Sequence, residues 1–135
     1  MINFDHIYMQ MAREMSTASK ANRKQVGAIL VTNNGVLLPG YNGTPAGWPN
    51  KCEDVNNVTI PSVIHAELNC VLKAAKEGVS VIGSTIYVTL SPCVSCASML
   101  AQAGVKRIVY DEEYRDMSGV NLLLQNGTLV ERLCQ

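Results

Sequence analysis

The order in which strand-like and helix-like segments alternate limits this chain more than any other feature. Residues 4–18 place Phe4, Ile7, Tyr8, Met11, Ala12 and Met15 at i, i+3, i+4, i+7, i+8 and i+11, the spacing of an amphipathic helix. Residues 26–32, Val-Gly-Ala-Ile-Leu-Val-Thr, read as a strand. Asn33-Asn34-Gly35 is hairpin-turn chemistry, and Val36-Leu37-Leu38 begins the returning strand. A Gly-, Asn-, Pro- and Thr-rich loop over 40–62 follows, a length that in a compact domain usually marks either function or disorder. Then come a helix over 65–77 stopped by Gly78, and the β-branched, aromatic strand Thr85–Leu90. Ser91-Pro92 reads as an N-cap with proline at the first helical position, opening a helix over 93–103 that Gly104 ends. A strand over 107–110, a helix over about 118–125 and a strand over 128–133 complete the chain. One hairpin feeding alternating helices and strands predicts a single domain over 1–135, three layers built on a mixed five-stranded sheet.

Composition narrows the partners. Eleven basic residues balance eleven acidic ones, and charged residues make up only 16% of the chain. A neutral chain offers no broad electrostatic grip on nucleic acid or an anionic membrane. A small anionic ligand needs only a local cluster of cations and is not excluded. No apolar run approaches the roughly 18 residues of a membrane span, and no basic-then-apolar leader opens the chain. These features predict a cytoplasmic protein, where thiols stay reduced. Its five cysteines are an odd number, so metal binding or catalysis is a better first reading for some of them than disulfides.

Two segments carry the chemistry. His65-Ala66-Glu67 opens one predicted helix, and Pro92-Cys93-Val94-Ser95-Cys96 opens the next. Cys93 and Cys96 are spaced i, i+3, so their sulfurs share a helix face, and a helix N-terminus favours thiolate. His65 lies one helix and one strand upstream, so the two helix N-termini can meet at one end of the sheet, where open α/β sheets bind ligands. Two thiolates and a neutral imidazole balance the charge of Zn²⁺. Three protein ligands leave the fourth position open, as in a catalytic rather than a structural zinc site. Glu67, two residues from His65, is placed to shuttle protons. Cys70, mid-helix, reads as a packed small hydrophobe, and Cys52 and Cys134 are given no catalytic role. His6 reads as a surface or partly packed histidine.

H-x-E followed by P-C-x-x-C is the zinc deaminase signature. Beyond it, Gln25-Val26-Gly27-Ala28-Ile29-Leu30-Val31, the loop Gly40-Tyr41-Asn42-Gly43-Thr44-Pro45-Ala46-Gly47, Val63-Ile64-His65-Ala66-Glu67-Leu68-Asn69, Tyr87-Val88-Thr89-Leu90-Ser91-Pro92-Cys93 and Ala103-Gly104-Val105-Lys106 match in register. Over about residues 5–133 the chain resembles the deoxycytidylate (dCMP) deaminase family of the cytidine deaminase-like superfamily, closest to its compact viral or bacterial members.

The resemblance implies an α/β/α cytidine deaminase-like fold and hydrolysis of dCMP to dUMP and ammonia, which supplies thymidylate synthesis. It implies one catalytic zinc per chain on His65, Cys93 and Cys96. Water activated there adds to C4 of cytosine, and Glu67 protonates N3 and then the leaving amino group. Backbone groups at Ala66 and Ser91 would hold the pyrimidine, and Asn42 the deoxyribose 3′-OH. Ser19-Lys20 matches a family Ser-Lys/Arg pair, which makes Lys20 a candidate for the phosphate, ahead of Arg23 and Lys24. Tyr114 falls where the family has a tyrosine near the substrate.

A dCTP-activated, dTTP-inhibited effector site, with Mg²⁺ on the triphosphate, would use Gly43, Thr44, Ala46, Gly47 and Asn50, with Lys73 and Lys76 as companions. The resemblance further implies a homo-oligomer, a hexamer in most members, located in the host cytoplasm if viral, with no nucleic-acid or membrane partner. Turnover of dCTP beside dCMP stays open. Some members hold a second, structural zinc. Here Ala21 stands at one of its ligand positions, and Cys52 alone cannot make a site.

Two rival readings are distinguishable. A deaminase of cytidine, guanine or tRNA adenosine would lack the Gly-Tyr-Asn-Gly-Thr-Pro loop or would show a basic face. A zinc-stabilised binding module would not need Glu67 or the open fourth position.

Overall fold

A computed structural model describes residues 3–133. Its first element is helix α1 (Phe4–Ser16), whose N-cap Asn3 accepts the Asp5 backbone N–H. Strands β1 (Gly27–Val31) and β2 (Leu37–Tyr41) form the expected antiparallel hairpin, closed where Thr32 and Gly35 bond across the turn. Helix α2 (Ala66–Glu77) ends on Gly78 in the left-handed conformation, with φ of 71°. Strand β3 (Thr85–Leu90), helix α3 (Val94–Ala103), strand β4 (Arg107–Glu112), helix α4 (Ser118–Gln125) and strand β5 (Leu129–Arg132) follow. Among the described residues no helix is long and apolar enough to cross a membrane.

The sheet order is β2-β1-β3-β4-β5. β1 is antiparallel to both its neighbours, while β3, β4 and β5 run parallel. Parallel pairs need crossovers, and α3 and α4 supply them. The mixed five-stranded sheet and three layers agree with the reading of the sequence.

Side chains alternate across the sheet as the pleat requires. Ala28, Leu30, Ile86, Val88, Ile108 and Tyr110 face the larger core with Cys70 and Ala74 of α2, Leu100 of α3 and Leu123 of α4. Ile29, Tyr87 and Val109 face Met9 and Ala12 of α1 on the opposite side. The helix expected over 4–18 forms, but its apolar stripe is not its buried face throughout. Met9 is fully buried, whereas Phe4, Ile7 and Met11 keep 36–52% of their surface exposed along one edge. α1 sits over β1 and β3, which turns its Met9–Ala12 side inward.

Because β1 is antiparallel to β3, the start of β1, the end of β2 and the ends of β3 and β4 all lie at one edge of the sheet. The N-termini of α2 and α3 open onto the same edge. α2 approaches unusually closely at Gly40, where an added Cβ would stand 2.5 Å from the Ala66 carbonyl oxygen and 2.8 Å from the Cys70 sulfur. Only glycine lets β2 and the start of α2 meet so tightly.

Candidate functional site

Three side chains with metal-binding atoms converge at this edge. His65 Nδ1 lies 3.1 Å from Cys96 Sγ and 3.7 Å from Cys93 Sγ. All three donor atoms fall within 4.8 Å of one another. A tetrahedral zinc with ordinary bond lengths would hold nitrogen and sulfur about 3.5 Å apart, and the two observed distances bracket that value. The donor set therefore fits zinc, with room for a fourth ligand from the cavity.

The local cause is legible in the caps. His65 is the N-cap of α2 and Cys93 the N-cap of α3, both with extended backbone and neither using its side chain to cap. A residue in that conformation projects its side chain across the helix mouth. Cys96 then sits one turn into α3 and is buried. The helix expected to start at Ser91-Pro92 starts at Val94 instead. Ser91 is not the cap, because its N–H continues the parallel ladder to the Glu112 carbonyl and its hydroxyl accepts the Tyr114 N–H.

Electrostatics suit proton transfer and ligation. Glu67 is buried, and desolvation pushes its carboxyl up to about 7, against the opposing pull of its own backbone N–H and the Cys96 thiol. A proton carrier works best when its pKa lies near the working pH. Desolvation lowers the pKa of His65, which favours the neutral imidazole that metals bind. Cys96 is pushed up first by burial, then by the neighbouring Glu67 and Cys93 charges. A cation beside it reverses that penalty, since a coordinating thiol is deprotonated.

A cavity of about 230 Å³ opens over this centre. Of the expected residues, Asn42, His65, Ala66, Glu67, Ser91, Cys93 and Tyr114 line it. Asn42 is held from both ends: Oδ1 accepts the Val26 N–H and Nδ2 donates to the Lys24 carbonyl, each at 2.8 Å. Ser19 is buried behind the wall, where its hydroxyl donates to the Asn42 carbonyl and accepts the Ala21 N–H. Lys20 is exposed and does not line the cavity. The cations that do are Arg23, Lys24 and Arg115. Lys24 pairs with Glu112 at 2.8 Å, and Arg115 stacks over the Tyr114 ring at 5.6 Å.

The expected effector residues form a different neighbourhood, and none lines the cavity. Gly43 pairs with Ile64, and the Thr44 hydroxyl donates to the Pro49 carbonyl. Pro45-Ala46-Gly47-Trp48 makes a turn closed by the Trp48 N–H, with Gly47 at φ of 85° and the exposed Asn50 beyond it. Lys73 donates to the Pro39 carbonyl at 2.8 Å, and Lys76 is exposed one turn on.

Cys70 is fully buried in the core, which raises its thiol to about 12. Cys52 is buried in the cavity wall, and Cys134 lies outside the described residues. His6 is exposed on α1. Two wall residues carry no local signal in the sequence. Arg115 sits in the mixed-charge run Glu113-Tyr114-Arg115-Asp116, and Glu53 in the polar loop. Both patterns resemble solvated surface.

Comparison with known proteins agrees with this geometry. Residues 2–112 match the family model described as the cytidine and deoxycytidylate deaminase zinc-binding region. The deoxycytidylate deaminase of Enterobacteria phage T4 is 32% identical, the match covering 88% of this chain and 83% of the phage protein. ComE operon protein 2 of Bacillus subtilis is 34% identical over 98% of this chain and 72% of its own length. The crystal structure of dCMP deaminase from cyanophage S-TIM5, in complex with dCMP and dUMP, superposes with a TM-score of 0.91 at 44% identity, covering 96% of each chain.

Proposed function

The chain belongs to the cytidine and deoxycytidylate deaminase family of zinc-binding deaminases, and from that premise we propose that it hydrolyses dCMP to dUMP and ammonia. The observation that carries the reading is Glu67: a wholly buried carboxyl, two residues from one metal donor and against another, opening onto a cavity large enough to admit a ligand. Its desolvation makes sense as a tuned proton carrier.

His65 Nδ1 and the thiolates of Cys93 and Cys96 would hold zinc, which when bound lowers the pKa of a water to about 7 and makes it nucleophilic. Glu67 takes a proton from the attacking water and gives it to N3 of the cytosine ring. It then carries the water's second proton, from the new C4 hydroxyl, to the exocyclic amino group, which leaves as ammonia as C4 becomes the carbonyl of dUMP. Backbone groups of Ala66 and Ser91 border the base. Asn42, already braced against Val26 and Lys24, has one amide proton left for a sugar hydroxyl. Tyr114 lines the same cavity.

Arg23, Lys24 and Arg115 are the cations placed to meet a 5′-phosphate. Ser19 supports this arrangement from behind by holding the Asn42 carbonyl, and Lys20 stands outside it. In this reading the whole chain forms one deaminase domain acting in the cytoplasm as a homo-oligomer, a hexamer. The separate neighbourhood of Gly43, Thr44, Ala46, Gly47, Asn50, Lys73 and Lys76 takes dCTP as activator and dTTP as inhibitor, with Mg²⁺ on the triphosphate. Small residues there let backbone N–H groups approach phosphates.

The experiment is deamination of dCMP, deoxycytidine and dCTP by the protein with its zinc quantified, repeated with dCTP or dTTP plus Mg²⁺ as effectors. Preferred turnover of dCMP, raised by dCTP and lowered by dTTP, is expected. Equal rates on deoxycytidine and dCMP would remove the phosphate contact. Absence of dCMP turnover at one zinc per chain would overturn the activity.

A further inference from the structure

Glu53 is one of two acidic residues buried among the described residues, and the deamination chemistry uses only the other, Glu67. Glu53 comes from the long loop between β2 and α2, yet 5% of its surface is exposed. Its oxygens are committed to backbone N–H groups some thirty residues upstream. Oε1 accepts the Asn22 N–H at 3.1 Å, and Oε2 accepts the N–H groups of Asn22 at 3.0 Å and Arg23 at 3.1 Å. A carboxylate accepting several N–H bonds is a strong, directional clamp.

At Asn22 and Arg23 the clamped segment is held through its backbone N–H groups by Glu53. Residues 17–26 connect α1 to β1 without helix or strand. They are pinned at Asn22 and Arg23 by Glu53, and at Lys24 and Val26 by the Asn42 amide. Between those pins Arg23 reaches the cavity rim, with its guanidinium 3.5 Å from the Thr59 hydroxyl. Glu53 and Thr59 face each other as a bridge pair, so the loop carries both the clamp and the rest for the Arg23 side chain. Lys24 is engaged by Glu112, whereas Arg23 has no carboxylate ion pair among the described residues. It remains available to an anion in the cavity.

We propose that Glu53 is a positioning residue for nucleotide recognition: it fixes the backbone of Asn22 and Arg23 so that the Arg23 guanidinium meets the 5′-phosphate of a nucleoside monophosphate. The inference rests on the dCMP reading above and adds how the site distinguishes nucleotide from nucleoside. Glu53 touches neither the base nor the reacting carbon. Its loss therefore weakens binding of the phosphate-bearing substrate and leaves proton transfer at Glu67 alone.

The test compares wild type, Glu53→Gln, Glu53→Asp and Arg23→Ala as zinc-loaded proteins on dCMP and deoxycytidine. For Glu53→Gln, KM for dCMP rises about tenfold with kcat within about twofold, and the preference for dCMP over deoxycytidine falls by the same factor. Glu53→Asp keeps the acceptors and recovers part of the preference. Arg23→Ala loses the preference as Glu53→Gln does, and the double variant loses no more. A loss of equal size on both substrates would mark Glu53 as merely structural and overturn the proposal, as would an unchanged KM for dCMP. Should Glu53→Gln fail to fold, Arg23→Ala decides: a wild-type KM for dCMP there overturns the proposal. Failure of wild type itself to deaminate dCMP would strike the functional reading instead.

Discussion

The Ser91 hydroxyl accepts the Tyr114 backbone N–H at 2.7 Å and turns its own proton toward the Met117 thioether, 3.5 Å away. One buried side chain at the end of β3 thus holds the β4–α4 connection, which brings Tyr114 and Arg115 to the cavity wall. Replacing Ser91 by alanine leaves the Tyr114 N–H without its partner, at a cost of about 1–2 kcal/mol. The expected result is a lower denaturation midpoint and a severalfold higher KM for dCMP, with a smaller change in kcat. Urea melts and steady-state kinetics on one preparation check both.

Glu67→Gln keeps the shape of the side chain and removes its ability to carry a proton. General acid–base catalysis is worth about 10²–10⁴ in rate, so turnover of dCMP should fall by at least that much. His65, Cys93 and Cys96 are untouched, so zinc content should stay at the wild-type level by metal analysis. A fully active variant would take the proton-carrier role away from Glu67.

His65, Glu67, Cys93 and Cys96 were legible as candidates because the metal ligation and proton transfer proposed for them demand particular residue types at particular spacings. The sheet was legible for a related reason: a tight hairpin followed by crossovers permits few strand orders. What stayed hidden depended on contacts between distant segments. Ser91-Pro92 reads as a helix start, yet the serine hydroxyl is taken by Tyr114 from another loop. Met9 lies off the best apolar stripe of α1 but is the residue that α1 drives into the core. Lys20 and Arg23 are three residues apart in an irregular segment, where no period says which side chain points where. Glu53 is what fixes that direction, and nothing in its polar surroundings announces that it is buried.

Gly119 opens onto the metal centre's backbone. An added Cβ would stand 2.4 Å from the Pro92 carbonyl oxygen and 2.7 Å from the Cys93 carbonyl carbon. Neither neighbour is a side chain that can rotate away. Gly119→Ala must therefore move α4 or the loop bearing Cys93, at a cost of about 1–3 kcal/mol. Because Cys93 is a donor, the variant should also release zinc to a competing chelator faster than wild type. Stability loss with unchanged zinc retention would mean that α4 yields and the donor loop does not.

The opposite face of the sheet predicts how stability responds to acid. Asp5, in the first turn of α1, accepts the Tyr87 hydroxyl at 2.6 Å and takes two bonds from Arg107, at 2.9 and 2.8 Å. Arg107 is also held by Glu131 of β5 at 2.7 Å, so one guanidinium joins helix, central sheet and edge strand. The bond from Arg107, more than any other contact, holds the Asp5 carboxyl down at about 2, against 3.8 for a free aspartate. A depressed folded-state pKa adds stability that is fully present above the unfolded value and is lost as pH falls through the folded one. The loss should therefore run from about pH 4 down to about pH 2, reaching about 1 kcal/mol once solvent screening of this partly buried pair is allowed for. Asp5→Asn should be less stable than wild type at neutral pH and should lose less on acidification through that window. Denaturation midpoints of both proteins from pH 6 to 2 test this, and parallel acid limbs would show that the Asp5–Arg107 pair contributes nothing to acid stability.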